Sequence, residues 1–178
     1  MTTSVATRKP APGEYSPYYD RYISLVASED ILGILETQLV ETVSVLSTCS
    51  EQQGEFRYSP GKWNMKEVLG HVADTERIFA YRALRISRND KTPMAGFEQD
   101  DYVRNGPFAH CRLAKLVEDF SRVRQATLSL FGNLPEDAWL RRGVANNNEI
   151  TVRAVAYIIA GHELHHRRIL QQLYLTRD

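Results

Sequence analysis

One helical pattern occupies residues 151–175, which read TVRAVAYIIAGHELHHRRILQQLYL. At about 100° per residue, the apolar side chains of this stretch fall on one face of a helix, and Arg167 and Arg168 fall on the opposite face. The apolar face consists of Val155, Ile158, Ile169 and Leu173. His162 and His166 lie in the middle of that face. The stretch therefore predicts a long amphipathic helix that directs two histidines into the core.

Three further segments have the same periodicity, at residues 28–47, 64–87 and 108–131. Ser28 is expected to cap the first, and Asn64 begins a capping-box pattern at the start of the second. No segment alternates between apolar and polar residues as a strand does. Because four such helices bury their apolar faces best against one another, we predict an all-α protein with a four-helix bundle. The connection between helices 2 and 3, of roughly 20 residues, is long for a bundle and predicts a crossover or a functional loop.

The composition indicates one folded domain. The chain has 178 residues, of which 43% are hydrophobic and 25% are charged. We place the domain at residues 23–178, after an arm rich in proline and tyrosine at residues 1–22. Lys and Arg together number 22, as do Asp and Glu, so the chain lacks the basic surface that nucleic acids and anionic lipids attract. We therefore expect no nucleic-acid partner and no membrane partner.

Cysteine usage and the lack of targeting patterns indicate the compartment. Cys49 and Cys111 belong to no CxxC motif and are expected to be reduced thiols. The longest apolar run without a charge, residues 154–161, is far shorter than the ~20 residues that span a bilayer. The N-terminal residues lack the apolar segment of a signal peptide. We expect a cytoplasmic protein.

The inward-facing pair His162 and His166 favours a metal site. Each unpaired polar group that is buried costs about 1–3 kcal/mol, and a buried imidazole has two ring nitrogens to satisfy. Side chains four residues apart on a helix are close enough to bind one ion, which would satisfy both histidines. A third ligand has to come from another helix. His71, near the apolar face of the second helix, is the main candidate, and His110 is a rival whose sequence context favours the surface.

The segment from His162 to His166 also satisfies the HExxH pattern of zinc metalloproteases, in which the glutamate is the general base. That interpretation is disfavoured, because the twelve residues after His166 contain no histidine or glutamate to complete the site. Glu163 falls beside the apolar face rather than inside it. Glu67, Asp74 and Glu163 could each orient a ligand histidine or transfer a proton, although carboxylates on exposed helix faces are usually only solvated.

Two segments resemble the DinB-like or YfiT-like superfamily: WNMKEVLGHVADTE at residues 63–76 and GHELHHRRIL at residues 161–170. Members of that family typically have a tryptophan several residues before a histidine on the second helix, and an HxxxH pattern on the last helix. The resemblance covers about residues 28–175. It implies a four-helix bundle with an unusual crossover.

The resemblance also implies that His71, His162 and His166 bind one divalent ion, and that His165 is not a ligand. Zinc and nickel are the favoured ions, with iron and manganese as alternatives. Relatives include thiol transferases that use bacillithiol or mycothiol, and a mycothiol-dependent maleylpyruvate isomerase. We therefore expect a metal-dependent enzyme, a thiol S-transferase or a hydrolase, that acts on a small molecule by activating a thiol or water at the ion. The alternatives are a stress-related metal-binding bundle without turnover and a bundle that binds no metal.

The resemblance and the aromatic arm suggest a homodimer. The arm contains Tyr15, Tyr18, Tyr19 and Tyr22. Tyrosine is favoured at interfaces because its ring is apolar and its hydroxyl is polar. The alternative is that these tyrosines pack on their own bundle.

Overall fold

The computed structural model describes residues 7–175 and confirms the prediction of an all-α four-helix bundle. Its long helices are α2 (Ile31–Ser47), α4 (Met65–Ser87), α6 (Leu113–Gly132) and α7 (Val152–Ile169). Three short helices are α1 (Asp20–Ile23), α3 (Glu51–Glu55) and α5 (Gln99–Asn105). Single turns of 3₁₀-helix lie at Pro17–Tyr19, Phe108–His110 and Glu136–Leu140, and α7 continues into a π-helical turn at Leu170–Tyr174. The connection between α4 and α6, which correspond to the predicted helices 2 and 3, therefore contains α5 and the turn at Phe108–His110.

Side-chain caps set where three of the four long helices, α2, α4 and α7, begin. The predicted capping box of α4 forms: the Asn64 side chain accepts the Glu67 N–H, and the Glu67 carboxylate accepts the Asn64 N–H, each at 2.8 Å. The expected cap at Ser28 is wrong. Asp30 caps α2 by accepting the Gly33 N–H at 3.1 Å, whereas Ser28 only accepts the N–H of Asp30.

The third long helix begins at Leu113, five residues after the predicted start. Residues 108–110 instead form the 3₁₀ turn, and the backbone at Cys111 and Arg112 is extended. The apolar spacing of this segment extends across the turn, because the Phe108 side chain is buried in the same cluster as Leu113. Periodicity therefore marked the buried face correctly but not the break within it.

A β-hairpin that the sequence pattern did not reveal connects α6 to α7. It consists of β1 (Arg142–Ala145) and β2 (Asn148–Thr151), which pair antiparallel. Asn146 and Asn147 form the turn with φ of 49° and 60°, the left-handed geometry of a tight hairpin turn. Met94 exchanges backbone hydrogen bonds with the hairpin at 2.9 and 3.0 Å, which fixes the α4–α6 connection against it.

The four long helices surround a core that is divided by a buried polar layer. Helix α4 packs against α6 and α7, and α2 packs against the same two helices on the other side. One apolar cluster lies at the end of the bundle near Phe79 and Ile158, and the other at the end near Leu69 and Leu170. The polar layer lies between them and consists of Gln38, Thr42, His71, Thr75, Glu76, Arg124, Thr127, His162 and Glu163.

The segment before α2 packs on the bundle. Tyr22 and Ile23 of α1 are buried against α7. The Glu14 carboxylate accepts the Thr151 hydroxyl at 2.9 Å and forms an ion pair with Arg153. Within residues 7–175, none of the helices is both long and apolar enough to cross a membrane.

Candidate metal centre

Three histidines from two helices meet at the edge of the polar layer, two of them within it. His71 comes from α4, and His162 and His166 come from successive turns of α7. One nitrogen from each ring can be chosen so that all three lie within 4.8 Å of one another. The Nε2 atoms of His71 and His162 are 3.0 Å apart, and the ring centroids of His162 and His166 are 4.5 Å apart. The structure thus brings together the three residues that the resemblance named.

Burial keeps this cluster neutral. It lowers the pKa of His71 to about 4, with a smaller contribution from His165. Burial also holds the pKa values of His162 and His166 well below their usual range, and the neighbouring imidazoles add to the effect. A neutral imidazole has a lone pair to donate, which is the form that a metal ion requires.

The donor set fits a divalent ion. Three imidazoles that converge, with two Nε2 atoms at hydrogen-bond distance from each other, are a nitrogen-rich set of the kind that zinc and similar ions prefer. Three protein ligands also leave a coordination position for a small molecule, as in catalytic rather than structural sites. His71, His162 and His166 are therefore the residues that would hold the ion.

Neighbouring side chains fix the histidine rings. The Thr75 hydroxyl lies 3.4 Å from His71 Nδ1, which leaves Nε2 facing His162. The Trp63 ring packs against His71 at a centroid distance of 4.9 Å, and Tyr22 packs edge-on against His162 at 5.2 Å. The tryptophan before α4 and the tyrosine of α1 thus support the cluster from outside the two ligand-bearing helices.

Glu163 is not a solvated surface residue, which corrects one expectation from the helical wheel. Its side chain is 3% exposed, and its Oε1 accepts the Thr42 hydroxyl of α2. Oε2 has no hydrogen-bond partner among residues 7–175, and burial raises the pKa of the carboxyl. The carboxyl contacts α2 because that helix packs against the flank of α7, which the wheel of a single helix cannot show. Arg167 Nε lies 3.7 Å from Oε1.

Three other candidate residues, Glu67, Asp74 and His110, lie away from the cluster, whereas His165 lies beside it. Glu67 completes the helix cap and forms an ion pair with Arg57 at 2.6 Å. Asp74 forms a partly exposed ion pair with Arg77 at 3.1 Å, and burial raises its pKa. His110 is exposed, as its sequence context indicated. His165 is half-buried and packs edge-on against His166 at 5.0 Å.

A buried ion pair next to the cluster was missed by the sequence interpretation. The Arg124 guanidinium of α6 donates to both carboxylate oxygens of Glu76 at 2.8 and 2.9 Å, and also to Gln38 Oε1 at 3.1 Å. The spacing could have revealed it. Arg124 follows Phe120 by four residues and precedes Phe131 by seven, so it lies in register with the apolar face of α6.

A cavity of about 350 Å³ opens beside the cluster. His71 and His162 line one part of it, and Tyr19 and Tyr22 from the N-terminal segment line another. The loop between α4 and α5 and the turn of the hairpin complete the wall. Helices α4 and α7, the N-terminal segment, the loop after α4 and the hairpin turn thus form a pocket of the size that binds small molecules.

Comparison with known proteins places the chain in a family. The sequence profile of the DinB superfamily matches residues 34–170. A curated protein of Oceanobacillus iheyensis named "Putative metal-dependent hydrolase" is 23% identical over 146 residues, which is 79% of this chain and 83% of that protein.

Two solved structures have a similar fold. The first is YfiT from Bacillus subtilis, described as "a probable metal-dependent hydrolase with an unusual four-helix bundle topology". It has a TM-score of 0.69 and 17% identity over 93% of this chain and 90% of that one. The second is a mycothiol-dependent maleylpyruvate isomerase, with a TM-score of 0.66 and 13% identity over 82% of this chain and 61% of that one. The family profile spans most of the chain, and this chain belongs to the DinB superfamily.

Proposed function

We propose that this protein is a divalent-metal-dependent enzyme, a thiol S-transferase or a hydrolase, with its ion held by His71, His162 and His166. The observation that supports the proposal is that three neutral imidazoles, two buried and that of His166 half-buried, converge beside a cavity large enough for a small molecule. When bound, a divalent ion of the zinc type supplies positive charge that lowers the pKa of a thiol or water at its open position. Nickel and iron share the preference of zinc for imidazole, whereas manganese prefers oxygen ligands.

The residues around the cluster hold the ligands and shield them from water. Thr75 orients the His71 ring, and Trp63 covers its face. Tyr22 packs on His162 and lines the cavity, so a substrate would meet the histidines next to an aromatic wall. Because Glu163 contacts Thr42 of α2, its carboxylate supports the packing of α2 on α7 rather than the ring of a ligand.

Metal analysis tests the first half of the proposal. Full-length protein purified without a histidine tag should contain about one divalent ion per chain by inductively coupled plasma mass spectrometry. His166→Ala should remove most of it, since two imidazoles bind an ion far more weakly than three. His165→Ala is the matched control and should retain the ion. Equal losses in the two variants would show that the ligand set is wrong.

Turnover tests separate an enzyme from a bundle that only binds metal. Bacillithiol, mycothiol and glutathione are each offered together with an aryl halide, and release of halide is followed. Hydrolysis is followed with an aryl ester. Turnover that is present in the native protein and absent from His166→Ala supports catalysis. A protein that contains metal but acts in neither assay would instead be a metal-binding bundle without turnover.

We propose separately that the chain forms a homodimer, as its family resemblance suggests. Tyr22 is buried in its own bundle and so is not free to contact a partner, whereas Tyr18 is exposed. Light scattering at micromolar concentration tests the proposal, and a monomer rejects it. A chain that lacks residues 1–22 but is still dimeric would exclude a role for the arm.

A further inference from the structure

Arg82 differs from the other buried cations of this protein. Lys66, Arg82 and Arg124 are all at most 3% exposed. Lys66 forms ion pairs with Glu51 and Glu55, and Arg124 has two hydrogen bonds to the Glu76 carboxylate. In contrast, no carboxylate among residues 7–175 lies within the 4.0 Å ion-pair distance of the Arg82 guanidinium. Within residues 7–175, the fold provides a counter-charge for two buried cations and none for Arg82.

Neutral groups of the protein surround the guanidinium. Its Nη2 donates to the Ala95 carbonyl at 2.9 Å, and the Tyr19 hydroxyl contacts it. The rings of Phe79 and Phe97 lie 4.9 and 6.0 Å away. Aromatic faces offset part of the cost of removing a cation from water, but a buried charge is stabilised fully only by an opposite charge. The site therefore favours an anion from outside the protein.

The same cavity contains Arg82 and two of the clustered histidines. His71, Thr75, Phe79 and Arg82 follow one another along the face of α4 that lines this cavity. Eleven residues separate His71 from Arg82, which is about 16 Å between their Cα atoms along the helix axis. Because the Arg82 guanidinium lies over the Phe79 ring, a ligand that reaches both side chains places its anionic group near Phe79 and its reacting group at the histidines.

We propose that Arg82 binds a carboxylate of the substrate and thereby positions the opposite end of the molecule at the histidine cluster. The planar guanidinium matches a carboxylate through two parallel hydrogen bonds. Glu98 and Asp100 also line the cavity, but both are exposed, so water and salt screen their repulsion of an anion. The placement of the reacting end of the ligand at the histidines rests on the proposed function, whereas the binding of its carboxylate by Arg82 does not.

Binding of a matched pair of probes tests the proposal. The probes are 4-phenylbutyrate and its neutral amide, 4-phenylbutanamide, which have the same shape. Their dissociation constants are measured by NMR titration of the full-length protein. We expect the carboxylate to bind roughly ten-fold more tightly or better, the difference that charge-assisted hydrogen bonds confer. Arg82→Gln should remove this preference, whereas Arg122→Gln, which deletes an exposed charge on α6, should not change it.

Two outcomes would overturn the assignment: no preference in the native protein, or a preference that persists in folded Arg82→Gln. If Arg82→Gln does not fold, Arg82→Lys replaces it. If this variant binds the carboxylate as tightly as the native protein does, the contact through two parallel hydrogen bonds is wrong. His166→Ala separates the two proposals. A preference that disappears in His166→Ala but survives in Arg82→Gln assigns the carboxylate to the ion. A preference that survives in His166→Ala supports Arg82 even if the native protein holds no metal.

Discussion

Replacement of Gly161 by alanine should loosen the contact between α1 and α7 next to the histidine cluster. A Cβ atom at this position would lie 2.1 Å from the Tyr22 carbonyl oxygen and 2.4 Å from its carbon. Van der Waals contact requires about 3.5 Å, so the α1 backbone has to move by roughly 1 Å or more. That carbonyl also accepts the Leu25 N–H at 3.0 Å, and Ile23 beside it is buried, so the segment resists the shift.

Two opposing effects set the magnitude. Overpacking of this kind costs about 1–3 kcal/mol. Alanine in a helix interior gains about 1 kcal/mol over glycine. Gly161→Ala should therefore lower the free energy of unfolding by up to about 2 kcal/mol. Gly132→Ala is the matched control, since it also lies in a long helix but has no atom within 4 Å of its Cβ position. It should raise stability by up to about 1 kcal/mol.

Urea unfolding followed by circular dichroism measures both variants. Because Gly132 is the last residue of α6 and gains less from alanine than an interior position does, the difference between the variants is a lower limit for the clash, which we expect at about 1–3 kcal/mol. Trypsin should also cleave after the exposed Arg21 faster in Gly161→Ala than in the native protein, since the segment that carries it is displaced. If Gly161→Ala is as stable as Gly132→Ala, the close approach of Tyr22 to α7 is wrong.

Three further predictions concern the buried polar layer and the hairpin. In chelator-treated protein, the neutral His71 contributes stability that is complete above pH 6.5 and is lost as the pH falls towards 4. The loss is up to about 3 kcal/mol, because only the imidazole of the unfolded chain binds protons readily in that window. Urea unfolding at several pH values measures it. Glu76→Gln should cost about 3–5 kcal/mol in thermal or urea unfolding because it leaves Arg124 unpaired, whereas the exposed Glu118→Gln should cost less than about 1 kcal/mol. Asn147→Gly should raise the free energy of unfolding by up to about 1 kcal/mol, because the φ of 60° at this position favours glycine; a higher melting temperature would show it.

The helices were predictable because their determinants are local. The capping box at Asn64 and the spacing of apolar residues are both readable from neighbouring positions. The hairpin was not, because strands of four residues are too short for an alternating pattern to stand out from helical segments. Asn146 and Asn147 are residue types that favour a turn, but a turn alone does not indicate that the chain on either side pairs.

Site residues were predictable most directly where one helix presents them together. His162 and His166 lie one turn apart, so the sequence alone indicated a shared ligand. Glu163 was misplaced, because its surroundings depend on where α2 packs. The surroundings of Arg82 could not be inferred either, since Tyr19 and Ala95 reach it from segments outside α4.

Helix α4 keeps its stabilising charge and its cavity-facing residues on different faces. At about 100° per residue, Thr75, Phe79 and Arg82 all fall within roughly 80° of His71, and this face lines the cavity. Glu76 falls about 140° from His71, where it meets α6 and pairs with a buried arginine. The charge of Glu76, which pairs with Arg124 of α6, therefore holds the bundle together. The charge of Arg82, which faces the cavity, is left for a ligand. A substitution of Glu76 should accordingly change stability, whereas Arg82→Gln should change selectivity between the two probes.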